Sequence, residues 1–232
     1  MKYCFHHVPK TAGSTLQLRI CHREWIGELP KGSTLVASPY GNNTFYRVKD
    51  DINFNPNEPI RNGFERLKGH QGTGNATIVM GHLTNVNQAG DHYTWLRHPL
   101  ERDISYWKYD LANNKALSSN FETHIKKMPQ NFYLTWFWKH YMGRTGGAKS
   151  IEDAYNQVCN VLSNFKRIYD HNKFEDSWDE IANLLHISKE PRLNTNISKK
   201  SSLNISQNFK KWHEENNQFD YEIYKKFLDY SS

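Results

Sequence analysis

Lys10, Thr11, Ser14 and Thr15 stand together in HHVPKTAGSTLQLRI, with the small residues Ala12 and Gly13 between them. These are residue types that hold an oxyanion. A turn of small and hydroxylated residues between a strand and a helix aims unpaired backbone N–H groups and the positive end of the helix dipole at whatever lies above it. Lys10 adds a point charge and the hydroxyls add donors, so the loop suits a phosphate or a sulfate. It is not a Walker A motif, in which the lysine follows the second glycine; here the lysine comes first and Gly13 is the only glycine. The plainer alternative is a Ser/Thr-capped helix after a strand.

Two further strand ends carry comparable chemistry. Gly81-His82 follows the apolar run ATIVM, and Arg97 follows YTWL. Ser105 comes eight residues after Arg97, inside the next helical pattern, where it could share an anion with it. In open α/β sheets ligands gather beyond the carboxyl ends of the strands, which favours a ligand-binding reading of these residues. Arg97 has an alternative as an ion-pair partner of Glu101, four residues on. His6 and His7 sit in the first strand, one expected to face inward and one outward. They lack further ligands at metal-binding spacing, so no metal is expected.

The elements that must position these residues follow from pattern. Apolar, β-rich runs recur at Tyr3–Val8, Thr34–Ala37, Ala76–Met80, Tyr93–Leu96 and Lys166–Tyr169, with helical patterns between several of them. That alternation predicts an α/β fold: a single domain over residues 1–232 with a central, mainly parallel sheet flanked by helices, opened by a P-loop-type strand-loop-helix. In PLERDISYWKYDLANN, Leu100, Ile104, Trp107 and Leu111 make a helical stripe behind Pro99. Trp178, Ile181, Leu184 and Leu185 make another, and Tyr221, Tyr224, Phe227 and Leu228 a third. Residues 38–75, rich in Asn, Gly and Pro, read as a long excursion from the sheet. Asn113 to Ser150 reads as a second, holding the aromatic cluster NFYLTWFWKHY, which could be core or a platform for a sugar.

Composition narrows the partners. A net charge of +6 and an isoelectric point near 9.1 suit an anionic ligand. The basic residues are scattered and form no nucleic-acid motif, so nucleic acid is not expected. Three cysteines cannot all pair, and Cys4 lies inside an apolar run, which fits reduced thiols in the cytoplasm. No apolar run approaches the roughly 18 residues of a membrane span, so no membrane segment is expected, and with the first strand at residue 3 no signal peptide is expected.

HHVPKTAGST resembles the 5′-phosphosulfate loop of sulfotransferases that use 3′-phosphoadenosine 5′-phosphosulfate (PAPS), and TWLRHPLERDISYWKY resembles their 3′-phosphate segment, written R-D-P-x-E-R-x-x-S. The likeness is nearest to the carbohydrate branch of the heparan sulfate 2-O-sulfotransferase type, where a Gly-His pair precedes the second motif as Gly81-His82 does here. FEDSWDEIANLL and ENNQFDYEIYKKF resemble the late helices of that family more weakly, and His98 stands where its pattern has Asp.

The resemblance implies transfer of the sulfuryl group from PAPS to a hydroxyl, on a carbohydrate, leaving adenosine 3′,5′-bisphosphate. It implies that Lys10, Thr11, Ala12, Gly13, Ser14 and Thr15 hold the phosphosulfate, with Lys10 also catalytic. His82 is implied as the general base, and Arg97 and Ser105 as the grip on the 3′-phosphate. Asn196, Ser198 and Lys199, in LNTNISKK, are expected to close over the nucleotide. A nucleotide kinase is one rival, but it should show a Walker A motif and an acidic Mg²⁺ ligand after a strand. A nucleotide- or glycan-binding relic that has lost turnover is the other.

Overall fold

Tyr-Cys-Phe-His at residues 3–6 forms β1 (Tyr3–His6), an interior strand in a computed structural model that describes residues 2–38, 44–48, 64–66, 76–82, 84–142, 147–194 and 203–228. Its neighbours in sequence order are β2 (Thr34–Ser38), β3 (Thr44–Val48), β4 (Phe64–Arg66), β5 (Ile78–Gly81), β6 (Asp91–Leu96) and β7 (Arg167–Asp170). They form one sheet in the order β4-β3-β2-β5-β1-β6-β7. β2, β5, β1 and β6 are parallel, and β3 and β4 add an antiparallel edge. Parallel strands covered on both faces read as continuous apolar runs, which is why YCFH and IVMG have almost no exposed positions.

The expected strands are present with shifted ends: β1 stops at His6 rather than Val8, and β5 and β7 each begin and end one or more residues later than read. Residues 38–75 are not wholly an excursion. TFYRV and FER within them extend the sheet: β3 pairs back on β2 from Ser38↔Thr44 onward, and β4 pairs on β3. Short strands at a sheet edge need only one apolar face and one paired neighbour, so they leave little pattern in the sequence.

The described chain divides into two compact units, Met1–Trp95 with Phe165–Asn196, and Leu96–Asn164 with Ile197–Ser232. In the first, helices α1 (Gly13–Trp25) and α6 (Phe174–Leu185) cover the face of the sheet that carries Phe5, Met80 and Trp95. Leu16, Ile20 and Cys21 of α1 and Trp178, Ile181 and Ala182 of α6 complete this core. Arg19 of α1 is fully buried within it and spends its guanidinium on both oxygens of Glu175 (2.7 and 2.9 Å), the Leu193 carbonyl and the Asn194 amide oxygen. A buried charge is tolerated only with that degree of pairing.

In the second unit, α2 (Pro99–Ala112) is the helix expected behind Pro99, and it is followed by α3 (Phe121–Lys126), α4 (Phe132–Tyr141) and α5 (Ile151–Leu162), then α7 (Gln207–Asn216) and α8 (Gln218–Leu228). The segment 113–150 is therefore not wholly an excursion, since it holds α3 and α4. Its aromatic cluster is core: Tyr133 and Phe137 are completely buried, and Leu134, Trp136 and Tyr141 nearly so. Asn131 at the N-terminus of α4 has left-handed backbone and makes no cap of its own. Asp220 of α8 supplies it instead, accepting the N–H groups of Tyr133 (2.9 Å) and Leu134 (3.1 Å). Asn131 Oδ1 in turn accepts from Phe219 N–H at 3.1 Å.

Candidate functional site

The loop after β1 turns sharply. Lys10 and Ala12 both take φ of 69°, the left-handed region that costs an L-residue about 1–2 kcal/mol. The turn is held by the Thr11 hydroxyl, which is buried and donates to the Val8 carbonyl at 2.8 Å. Thr11 therefore shapes the loop with its side chain, and what it can offer a ligand is backbone. Ala12 occupies the N-cap position of α1 and has no side-chain acceptor, so the first N–H groups of the helix are not capped by it. Its carbonyl accepts from Thr15 and Leu16 (3.0 and 3.1 Å). Lys10, Ser14 and Thr15 are half-buried around this turn.

Gly81 and His82 arrive beside the loop because β5 pairs with β1 in register, His6 opposite Gly81. The His7 N–H extends that pairing by donating to the Gly81 carbonyl at 3.0 Å, and the buried Thr84 hydroxyl donates to the same carbonyl at 3.1 Å. His7 and His82 thus stand abreast on neighbouring strand ends, and their rings stack with centroids 4.0 Å apart and planes at 20°. His7 also rests on α1: a Cβ on Gly13 would lie 1.9 Å from its Cδ2. Burial first, then the charges of His82 and Lys10, hold the His7 imidazole well below its ordinary range. The His7 ring thus feels both Lys10 and His82.

His7 was not among the residues expected to act. Its signal in the sequence is positional: it is the residue before the loop, and His82 is the residue after β5, so in-register pairing makes them neighbours. His6 points to the opposite face, where it is buried with His92 (Nε2 to Nδ1, 2.8 Å) and Phe165. The two rings take opposite faces as expected, but both are withdrawn from solvent, His6 buried and His7 half-buried, because both faces of this strand are covered.

Arg97 and Ser105 belong to the second unit. Arg97 follows Leu96, the last residue of β6, and its backbone is clamped by Tyr133, whose hydroxyl accepts the Arg97 N–H (3.0 Å) and donates to the Arg97 carbonyl (2.7 Å). Its guanidinium lies 3.6 Å from Glu101, the i,i+4 pair that was its alternative role, and both side chains are partly exposed. A pair of that length and exposure contributes little. Its Nε is buried without a hydrogen-bond acceptor among the described residues. Ser105 is half-buried in α2, two turns on from Arg97. His98 sits at the N-cap of α2 with its ring edge-on to Tyr221 (5.3 Å) and Tyr224 (5.5 Å). Asn196, Ser198 and Lys199 lie outside the described residues.

A cavity of about 500 Å³ lined by Tyr93, Lys166, Arg167, Glu180, Asn183 and Leu184 contains none of these residues. Among the described residues no group of three or more His, Cys, Asp or Glu is placed to hold a metal ion, and no helix is long and apolar enough to cross a membrane. The three cysteines are buried free thiols.

No family model matches the chain, and no curated protein does. Among solved structures the chain is similar to a sulfotransferase from Alicyclobacillus acidocaldarius, with 12% sequence identity and a TM-score of 0.48, over 98% of this chain and 95% of that one.

Proposed function

We propose that this protein is a PAPS-dependent sulfotransferase that transfers the sulfuryl group to a hydroxyl of a carbohydrate, releasing adenosine 3′,5′-bisphosphate. One observation carries the reading: in-register pairing of β1 and β5 sets His82 against His7, whose ring also feels the charge of Lys10 in an anion-type loop. A base and a cation adjoining a set of backbone donors are what in-line displacement at sulfur requires. The base removes the proton of the attacking hydroxyl, and the cation meets the charge that grows on the departing phosphate oxygen.

In this reading the backbone of Lys10, Thr11, Ala12, Gly13 and Ser14, with the hydroxyls of Ser14 and Thr15, holds the phosphosulfate. The Lys10 ammonium stabilises the leaving group. His82 takes the acceptor proton, a role typically worth about 10²–10⁴ in rate. Arg97 and Ser105 bind the 3′-phosphate and so select this nucleotide over ATP. The buried Arg97 Nε, which has no hydrogen-bond acceptor among the described residues, supports a ligand for that side chain. Asn196, Ser198 and Lys199 close over the nucleotide. The same reading takes residues 1–232 as one catalytic domain working in the cytoplasm with reduced cysteines and no metal.

Thermal denaturation with adenosine 3′,5′-bisphosphate and with ATP separates the classes. A sulfotransferase is stabilised by the first, a kinase by the second and a glycan-binding relic by neither. Transfer of label from [³⁵S]PAPS to a panel of O-desulfated polysaccharides then tests turnover and acceptor class together. Stabilisation by ATP alone would overturn the assignment.

A further inference from the structure

The contacts that fix His7 do not use its ring as an acid or base toward a ligand. Its backbone N–H is bonded to Gly81, its ring is stacked on His82, and the ring packs against the Cα of Gly13 where α1 begins. Gln17, one turn further along α1, brings its amide nitrogen to 3.5 Å from His7 Nδ1. The ring is therefore a flat spacer joining the first residue of the loop helix to the candidate base. Gly13 is needed for that contact, because any Cβ there would enter the ring, with Cγ at 2.2 Å and Nε2 at 2.5 Å.

We infer that His7 is a positioning residue: by stacking on His82 it fixes the plane of that imidazole relative to the anion loop, so that base and leaving group are set by one rigid stack. This rests on the sulfotransferase reading and adds a residue to it. The stack matters because a general base works only within hydrogen-bond reach of its proton, and an imidazole free to rotate about its side-chain bonds spends most of its time elsewhere. What His7 contributes is a ring face and not a proton, so another flat ring should serve.

The test compares His7→Ala, His7→Phe and His82→Asn in the full chain, using [³⁵S]PAPS with O-desulfated heparin and histidine ring ¹H–¹³C spectra. His7→Ala should lower kcat about tenfold, with bisphosphate affinity within about twofold of wild type, and His7→Phe should recover most of the loss. The His82 ring resonance, assigned by its disappearance in His82→Asn, should shift in His7→Ala when the ring current is lost, and much less in His7→Phe. The spectra decide the matter even without turnover on this acceptor: an unmoved His82 signal in His7→Ala overturns the proposal. So does a His7→Phe enzyme as slow as His7→Ala, which would make the imidazole nitrogens the working part. His82→Asn keeps the two readings apart. If it transfers sulfate at the wild-type rate, the base assignment itself is wrong; if it is inactive while His7→Ala is fully active, only the positioning role fails.

Discussion

Gly81 passes so close to Ala37 that a Cβ built on it would lie 2.0 Å from the Ala37 carbonyl oxygen. The contact is with backbone in a paired strand, which cannot yield, and Gly81 also has φ of 131°, a conformation that side chains rarely adopt. Gly81→Ala should therefore destabilise the protein by about 3 kcal/mol or more, from overpacking and strain together. Urea denaturation measures this, and a midpoint equal to that of wild type would mean that β2 and β5 are not paired in this register.

Lys10→Ala should abolish transfer and leave the fold intact. The residue is half-buried in a loop, and its charge is required mainly when negative charge develops on the leaving phosphate. Because Lys10 already has left-handed backbone, Lys10→Gly should lose transfer equally while matching or exceeding wild-type stability by up to about 1 kcal/mol. Turnover within a few-fold of wild type in either variant removes Lys10 from the mechanism.

Arg97→Ala should weaken adenosine 3′,5′-bisphosphate binding by roughly 2–4 kcal/mol, as for loss of a charge-assisted bond to phosphate. Its ion pair with Glu101 is long and exposed, so stability should change by no more than about 1 kcal/mol. Calorimetry that finds unchanged bisphosphate affinity returns Arg97 to the ion pair.

Stability should fall as pH drops below 6.5. Burial holds His6 and His7 well below that ordinary value, and burial with Arg102 pushes His213 down to about 4. Between pH 6.5 and each folded value the unfolded chain binds a proton that the folded chain refuses, which costs up to about 1.4 kcal/mol per pH unit for each group. Asp220 has the opposite sign. Burial raises it from 3.8 to about 6, so below pH 6 the folded chain binds its proton first and gains stability, offsetting His213. Glu24, which burial also raises, offsets part of the loss, but His6 and His7 are both held well below 6.5, so urea midpoints should decrease from pH 7 to pH 5, and less steeply in His7→Phe. A flat profile in the wild type contradicts their burial as neutral imidazoles.

Much of the sheet was legible because interior parallel strands are apolar on both faces. ATIVM and YTWL could hardly be anything else. β3 and β4 were not, since TFYRV and FER are brief and lie among Asn, Gly and Pro. The helix FYLTWFWKHY is apolar almost all round and so shows no 3.6-residue stripe, whereas QNFKKWHEEN is polar apart from a thin one through the buried Phe209 and His213. At the site, the loop could be read from residue types alone. His7 could not, because its importance depends on which strand pairs with β1 and in what register, and strand pairing is a non-local fact that no local pattern encodes.

Asp220→Ala should cost about 3–5 kcal/mol, since it leaves two buried N–H groups of α4 unpaired and removes the negative charge facing the buried Arg102. Asp220→Asn keeps one acceptor and should cost about half as much. Equal stability of Asp220→Ala and wild type, by urea denaturation, would contradict the cap.

The cap that α4 borrows from Asp220 comes from 87 residues later in the chain. During synthesis at about 5–20 residues per second, α4 is made on the order of ten seconds before the carboxylate that completes its first turn. Throughout that interval its rings, Tyr133, Trp136 and Phe137 among them, have no finished core to enter. The nascent chain therefore carries this aromatic helix without its cap until Asp220 has been added, and that is the period in which a chaperone has most to protect.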